Sequence, residues 1–486
     1  MDADQFRIAG KHLIDYIADY IESLRTRPVL PDVKPGYIND VVPSEAPEDG
    51  EPWIDMFNDI EEVVMKGMTH WHSPNFHAYF PTANSYPAIC GDMLSGALSC
   101  IGFTWNAAPS CTELEMKMMD WFAQMLGLPD HFCFGSGKGG GGVIQSTASE
   151  STLIAMLCSR CEVLQDRGVD HKVEDEAKYD ILSRLVAYTS CQSHSSVEKA
   201  SLLSATRLRM IASNEQMGMD VNALRSQILV DRNHGLIPFI VIATLGTTNT
   251  CAFDDLQSIG ILCKEEGIWL HVDAAYAGSA FVCPEYRHYM NGIEHVDSFS
   301  VNPHKWLLVN FDCNAFWVRD KHLIEDAFNV NPVYLKHENE GKIPDYRHWQ
   351  IPLGRRFRSL KMWFVFRSYG VKGLQDHIRK QIKLAHLFGE LLESDTRFEI
   401  VDEIRMGLVC FRLKGNNELN ENLIKRINRS RNIFLTPTKV NDRFIIRFAV
   451  CARTCNEEDI RFAWSVVQKY ANIVLTEMNG NDCTAT

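Results

Sequence analysis

Between about residues 110 and 320, short apolar runs alternate with amphipathic ones, and this alternation sets the expected architecture. The runs 185–188, 239–245, 269–272 and 315–318 are apolar, rich in β-branched or aromatic residues and bounded by glycine or polar residues, which predicts strands. Helical periodicity falls between or before them, over 112–126, 150–166 and 255–266. Such alternation predicts a mostly parallel sheet with helices on both faces and ligands gathered at the carboxyl ends of its strands.

The two ends of the chain read differently. Over 4–25, Phe6, Leu13, Ile17, Ile21 and Leu24 form one helical stripe, with Arg7, Lys11, Asp15, Asp19 and Glu22 off it. Pro28, Pro31, Pro35 and Gly36 then impose an extended connector. An amphipathic arm of this kind docks either on a second subunit or on its own chain, and the pattern does not choose between them. Beyond about residue 375 a long helix over 374–394 precedes apolar runs at 398–401, 407–413 and 444–450, which predicts a separate α+β domain. The expected division is an arm and dimerisation segment at 1–85, a large α/β domain at 86–375 and a small α+β domain at 376–486.

Composition narrows the classes. At 486 residues, two or three domains are expected, and 45% hydrophobic with 23% charged residues is an ordinary globular balance. The formal charge of −13, from 62 acids against 49 bases, argues against nucleic acid or anionic membrane as the main partner. The clearest local basic cluster is Arg355, Arg356 and Arg358 with Lys361, which reads equally as a structural or interface feature. No apolar run reaches the ~18 residues of a membrane span, and no signal peptide opens the chain, so a cytoplasmic protein is expected. Fifteen scattered cysteines suit a reducing compartment; Cys158 and Cys161 lie within a helical run with no second pair to complete a zinc set, so no metal is expected.

The candidate chemistry centres on Lys305. In Asn302-Pro303-His304-Lys305-Trp306 it follows a buried-looking strand, 32 residues after Asp273 at the end of the 269–272 run. Trp306, Leu307 and Leu308 supply an apolar wall, and burial lowers a lysine's pKa towards the neutral amine that attacks aldehydes. A carboxylate one supersecondary unit upstream suits the pyridinium nitrogen of a pyridoxal ring. His194 follows the 185–188 run and is placed to stack on a planar cofactor. The glycine cluster 135–142 fails both nucleotide-binding patterns it superficially matches. Gly139 stands where a Walker loop needs serine or threonine, and 143–145 interposes before any helix. It reads instead as a flexible loop leading to the small polar run 146–151, whose helix N-terminus is a plausible phosphate cradle or a plain cap.

These motifs, with 69–74, 78–82, 111–115 and 348–356, resemble the group II pyridoxal-phosphate-dependent decarboxylases from the arm to about residue 470. The resemblance implies an α/β fold of the fold-type I, aminotransferase-like class, built as a homodimer whose N-terminal helical arm packs on its partner. It implies pyridoxal 5'-phosphate as cofactor, linked to Lys305, with Asp273 on the pyridinium, His194 stacked on the ring, and Ala148, Ser149, Thr248, Asn302 and His304 as further cofactor contacts. Tyr79, Phe80, Thr82 and Gly354 would meet substrate, with Ile101 and Phe103 reaching in from the second subunit. Tyr334, on a polar loop between 330 and 346, would return a proton to the α-carbon.

The implied reaction is decarboxylation of aromatic L-amino acids of the L-DOPA or 5-hydroxytryptophan type to amines, in catecholamine-type biosynthesis. The alternative is an oxygen-consuming aromatic aldehyde synthase, in which phenylalanine at the Tyr334 position or asparagine at the His194 position is usual; this chain keeps the decarboxylase residue at both. Gly354 stands where histidine decarboxylases carry serine. Cys191 and Ser300 depart from the family's usual aspartate and asparagine. A third reading, a silent regulatory paralogue, is opposed by the intact Lys305, Asp273, His194 and Tyr334.

Overall fold

Strands β2 (Leu185–Ser190), β4 (Ile237–Thr244) and β5 (Trp269–Asp273) are buried at every residue, as continuous apolar runs covered on both faces must be. They form the middle of a seven-stranded sheet in the computed structural model, which describes residues 1–330, 335, 338–339 and 341–482, and for 478–482 the backbone alone. The remaining strands are β1 (Gly141–Gln145), β3 (Arg207–Ile211), β6 (Ser298–Val301) and β7 (Asn314–Val318). Their order is β1-β7-β6-β5-β4-β2-β3.

Four of the six pairings are parallel, from β3 across to β6. Helices Ser196–Ser204, Val221–Asn233 and Leu256–Glu266 make the long returns that parallel neighbours need. The connection from β6 to β7 is short, so β7 runs antiparallel to both β6 and β1. The parallel run places the carboxyl ends of β2, β4, β5 and β6 on one edge of the sheet.

The glycine cluster differs from the sequence expectation. Rather than a flexible loop, 141–145 is the fully buried edge strand β1. A Cβ on Gly140 would fall 1.9 Å from the His131 carbonyl oxygen, so close packing demands glycine there. Helix Ala148–Asp166 follows, capped by the Thr147 hydroxyl, which accepts from the Glu150 N–H. Cys158 and Cys161 are both buried on it, with burial raising each thiol's pKa.

The chain divides into two compact units, Thr82–Lys380 and a second made of Met1–Pro81 with Gln381–Thr486. In the second, an antiparallel sheet of order β10-β11-β9-β8 comprises β8 (Phe398–Ile400), β9 (Leu408–Leu413), β10 (Thr436–Val440) and β11 (Arg443–Ala449). Its core includes Phe388 stacked on Phe448 at 3.7 Å. The N-terminal segment is laced to this sheet: Val29 N–H donates to the Arg431 carbonyl, His77 N–H to Phe434, and Ala449 N–H to His77. Helix Ala3–Ser23 opens with a capping box between Asp2 and Gln5, yet Ala9 is its only buried residue. Phe6, Ile8, Leu13 and Ile14 are exposed.

Candidate active site

Asp273 ends β5 and Ser300 lies beside it in β6, so the parallel register carries the carboxylate and the Asn302–Trp306 turn to the same sheet edge. Asn302 N–H donates to the Ala275 carbonyl at 3.1 Å, and Lys305 N–H to the Asn302 carbonyl at 2.9 Å, closing a helical turn over Pro303–Trp306. Trp306 stacks on Tyr276 at 4.6 Å, and Leu307 and Leu308 are buried, which supplies the apolar wall behind a half-buried Lys305. Asp273 is 5% exposed and its Oδ1 accepts from the Ala275 N–H at 2.9 Å.

His194 follows β2 on the same edge. Its Nδ1 accepts from the Ser196 N–H at 3.1 Å and lies 2.9 Å from Ser196 Oγ, which leaves the proton of the neutral ring on Nε2. Burial lowers its pKa below the usual histidine value; the Asp273 charge opposes this and the Lys305 charge reinforces it. His194, Asp273 and Lys305 thus follow β2, β5 and β6 on one sheet edge, near enough for both charges to act on the imidazole. His304 is buried, with Nδ1 accepting from Cys313 N–H at 2.9 Å; burial first, then Lys305, push its pKa down to about 3, so it stays neutral.

Asn302 is oriented by a chain of hydrogen bonds with a fixed direction. Asn314 Nδ2 donates to the Val301 carbonyl at 3.1 Å and to Asn302 Oδ1 at 2.6 Å, while its Oδ1 accepts from the Ser151 hydroxyl. A backbone carbonyl can only accept, so the Asn314 amide has one orientation and Asn302 is left with its own N–H₂ on the far side. Ser151 belongs to the first turn of helix Ala148–Asp166, where the Ala148 and Ser149 N–H groups lack intrahelical partners. Asn314 was not singled out from sequence; its signal is a polar residue opening an otherwise apolar strand.

The other predicted residues fall as follows. Thr248 is half-buried after β4, on a turn where Gly246 has φ +90° and Leu245 N–H donates to the Asp273 carbonyl. Thr82 precedes Ala83, whose N–H donates to the His304 carbonyl at 2.6 Å. Ile101 and Gly354 are exposed neighbours: a Cβ on Gly354 would sit 3.6 Å from Ile101 Cγ2. Phe103 is half-buried, and its carbonyl accepts from Arg347 N–H. Tyr79 and Phe80 belong to the other unit, Tyr79 with φ 56° and stacked on Trp71, Phe80 under the Arg447 guanidinium at 4.9 Å. Tyr334 lies outside the described residues.

Of the two departures, the Cys191 thiol is 3.0 Å from Ser213 Oγ, and Ser300 Oγ is buried with no hydrogen-bond partner. The basic cluster is compensated: Arg358 pairs with Asp312 at 2.8 Å, and Lys361 with Asp92 at 3.3 Å.

A carboxylate, an amine and a flat neutral imidazole, beside a helix N-terminus with free N–H groups, suit a planar, cationic-ring cofactor that carries a phosphate. Ser193 Oγ, buried next to His194 without a partner, adds a polar atom that such a group can satisfy. The donor set fits pyridoxal phosphate.

Comparison with known proteins agrees. Residues 35–414 match the pyridoxal-dependent decarboxylase conserved domain. The chain is 56% identical over 472 residues to an aromatic-L-amino-acid decarboxylase of Manduca sexta, covering 96% of this chain and 92% of that one. Among solved structures it superposes on Oryza sativa TDC with PLP and tryptamine at a TM-score of 0.93, with 39% identity over 98% of this chain and 99% of that one. It superposes on a Rhodiola rosea 4-hydroxyphenylacetaldehyde synthase at 0.90, with 37% identity over 97% and 99%.

Proposed function

The chain belongs to the pyridoxal-dependent decarboxylase family, and from that premise we propose that it removes the carboxyl group of aromatic L-amino acids, of the L-DOPA or 5-hydroxytryptophan type, to give the amines and CO₂. The observation that carries the reading is the convergence of Lys305, Asp273 and His194 at three strand ends, in a chain this similar to an aromatic-amino-acid decarboxylase.

Pyridoxal phosphate supplies the electron sink that accepts the pair released when CO₂ departs. This chain's residues do the rest. Lys305 would hold the cofactor, and the apolar wall of Trp306, Leu307 and Leu308 would favour its neutral, reactive amine. Asp273, fixed by the Ala275 N–H, holds a proton on the ring nitrogen through its charge. His194 stacks its neutral ring, with Nε2–H directed by the Ser196 clamp on Nδ1. The Asn302 amide and the Ala148 and Ser149 N–H groups would take the phosphate, with Thr248 and His304 as further cofactor contacts. Thr82, Ile101, Phe103 and Gly354 would meet the substrate, and Tyr334 would return a proton to the α-carbon.

We also propose a homodimer. The exposed apolar stripe of helix Ala3–Ser23 supports it, because Phe6, Ile8, Leu13 and Ile14 need cover. Ile101 and Gly354 are neighbours within one chain, so a wall contributed to a partner's site would carry both. A cytoplasmic location is supported by fourteen free cysteines among the described residues, which suits a reducing compartment. Among those residues no helix is long and apolar enough to cross a membrane.

The test is a product assay of the cofactor-loaded enzyme with L-DOPA, 5-hydroxytryptophan, tyrosine and tryptophan. One amine per CO₂ is expected. Aldehyde with ammonia and stoichiometric peroxide would establish the synthase reading instead, and no turnover of any of the four would remove both.

A further inference from the structure

Arg355 joins three pieces of the large unit that are far apart in sequence. Its backbone carbonyl accepts from Gly102 N–H at 3.1 Å, holding the 101–103 loop. Its guanidinium donates through Nη2 to Glu115 Oε1 and, at 3.3 Å, to the Ile144 carbonyl, and through Nη1 to Gln350 Oε1 at 2.9 Å. Both the Arg355 and Glu115 side chains are fully buried, and Glu115 Oε1 also accepts from Ile144 N–H at 2.8 Å. The pair is therefore anchored on strand β1.

Gln350 passes this anchorage to the Ile351–Gly354 turn. The turn is exposed, but Gln350 is 3% exposed, and its Nε2 donates to the carbonyls of Pro352, Leu353 and Gly354, the last two at 3.1 and 3.4 Å. One amide gathers three successive carbonyls, while its oxygen is committed to Arg355. Those donors tie the turn to the Arg355 anchorage, and Gly354 is the residue that faces Ile101.

We infer that Gln350, held in place by Arg355 and Glu115, is a positioning residue that sets the wall formed by Ile101, Phe103 and Gly354 and so tunes the preference among aromatic amino acids of different ring size. The inference rests on the proposed reading of those three wall residues as substrate contacts. The Glu115–Arg355 pair fixes the relay; Gln350 converts it into turn geometry. Moving the wall alters the space offered to an indole relative to a catechol, which changes their relative transition-state binding while leaving Lys305 and Asp273 untouched.

Arg355→Ala is a poor probe, because it strands the buried Glu115 carboxylate and strongly destabilises the unit. The informative variants are Gln350→Met, which keeps the volume and removes every hydrogen bond, and Gln350→Glu, which keeps an acceptor for Arg355 and removes the donors. The readout is the ratio of kcat/KM for 5-hydroxytryptophan to that for L-DOPA, measured on one preparation of holoenzyme. The active fraction cancels in this ratio, so partial misfolding does not move it. Both variants are expected to change the ratio by about ten-fold, mainly through KM, with cofactor absorbance per subunit unchanged. A ratio within about two-fold of native in both variants overturns the inference and leaves the decarboxylase reading standing. If the native protein turns over neither substrate, the wall reading itself fails, and the inference with it.

Discussion

Replacing Asn314 by alanine should weaken cofactor binding although Asn314 is assigned no contact with the cofactor. The side chain is fully buried, and its removal strips donors from the Val301 carbonyl and Asn302 Oδ1 and an acceptor from the Ser151 hydroxyl. Buried polar groups left unpaired cost about 1–3 kcal/mol each, partly recovered by relaxation, so a loss of about 3 kcal/mol in stability is expected. The second consequence is functional. Asn302 is then free to turn its amide, and a hydrogen bond to a charged phosphate is worth about 1.5–3 kcal/mol, or roughly ten- to hundred-fold in Kd. Titration of the apoprotein with pyridoxal phosphate, followed by fluorescence quenching, measures this directly, and denaturant unfolding of the same apoprotein measures the first term. Asn314→Asp sharpens the test, because a carboxylate in place of the donor draws the Asn302 N–H₂ towards itself and turns its oxygen to the anion; it should bind more weakly than the alanine variant. Cofactor affinity within about three-fold of native, in an alanine variant destabilised as expected, would show that Asn302 does not serve the phosphate.

Asp273→Asn should retain fold and cofactor but lower kcat by about 100-fold or more, since the charge that keeps the ring protonated is gone; a near-native kcat would remove Asp273 from the mechanism. His194→Asn should divert turnover towards oxygen uptake and aldehyde, read with an oxygen electrode beside amine quantification, and unchanged amine yield without oxygen uptake would contradict the role given to the stacked ring. Gly246→Ala should cost about 2–4 kcal/mol, because φ is +90° and the new Cβ would fall 2.4 Å from Ala277 Cβ; an unchanged melting temperature sinks that reading. Burial pushes His77 and His271 down to about 4, so the unfolded chain takes up protons that the fold refuses. Their contribution is present above about pH 6.5 and is lost as pH falls towards 4, by about 2 kcal/mol each near pH 5. Buried Asp254 and Asp297, raised to about 6, act in the opposite sense, holding protons in the fold that are lost as pH rises through 6. His77→Phe should therefore flatten the loss of stability between pH 7 and 5, measured by denaturant unfolding, and an unchanged slope would refute it.

The sequence carried the site's main axis because that axis is encoded locally. β4 and β5 are short, largely apolar runs, and Asp273 ends one strand while the Asn302–Trp306 turn follows another, where a parallel sheet must bring them to one edge. β1 is hidden in the sequence because its glycines answer to close packing: a Cβ on Gly142 would fall 2.6 Å from both Met119 Cε and Trp317 Cδ1, contacts that only the fold defines. β10 was missed because Thr436–Val440 alternates exposed and half-buried positions around Pro437, as an edge strand does, and carries no apolar run. The long helix was placed at 374–394, whereas Ser359–Glu393 is continuous apart from Gly370, whose φ of 62° and ψ of 175° mark the break. The relays through Asn314 and Gln350 were illegible for a different reason. Asn314 acts through partners 12 to 163 residues away, and Gln350 through Arg355, whose own partner Glu115 is 240 residues off, so only the fold defines those sets.

Lys305, in the turn after β6 on the sheet edge that also carries Asp273, is proposed to hold pyridoxal phosphate. Borohydride reduction of the native holoprotein, followed by peptide mass mapping, fixes the cofactor to whichever lysine carries it. The account predicts one pyridoxyl group per chain, on the peptide containing Lys305. A label on another lysine, or an unlabelled Lys305 peptide from cofactor-saturated protein, would contradict it.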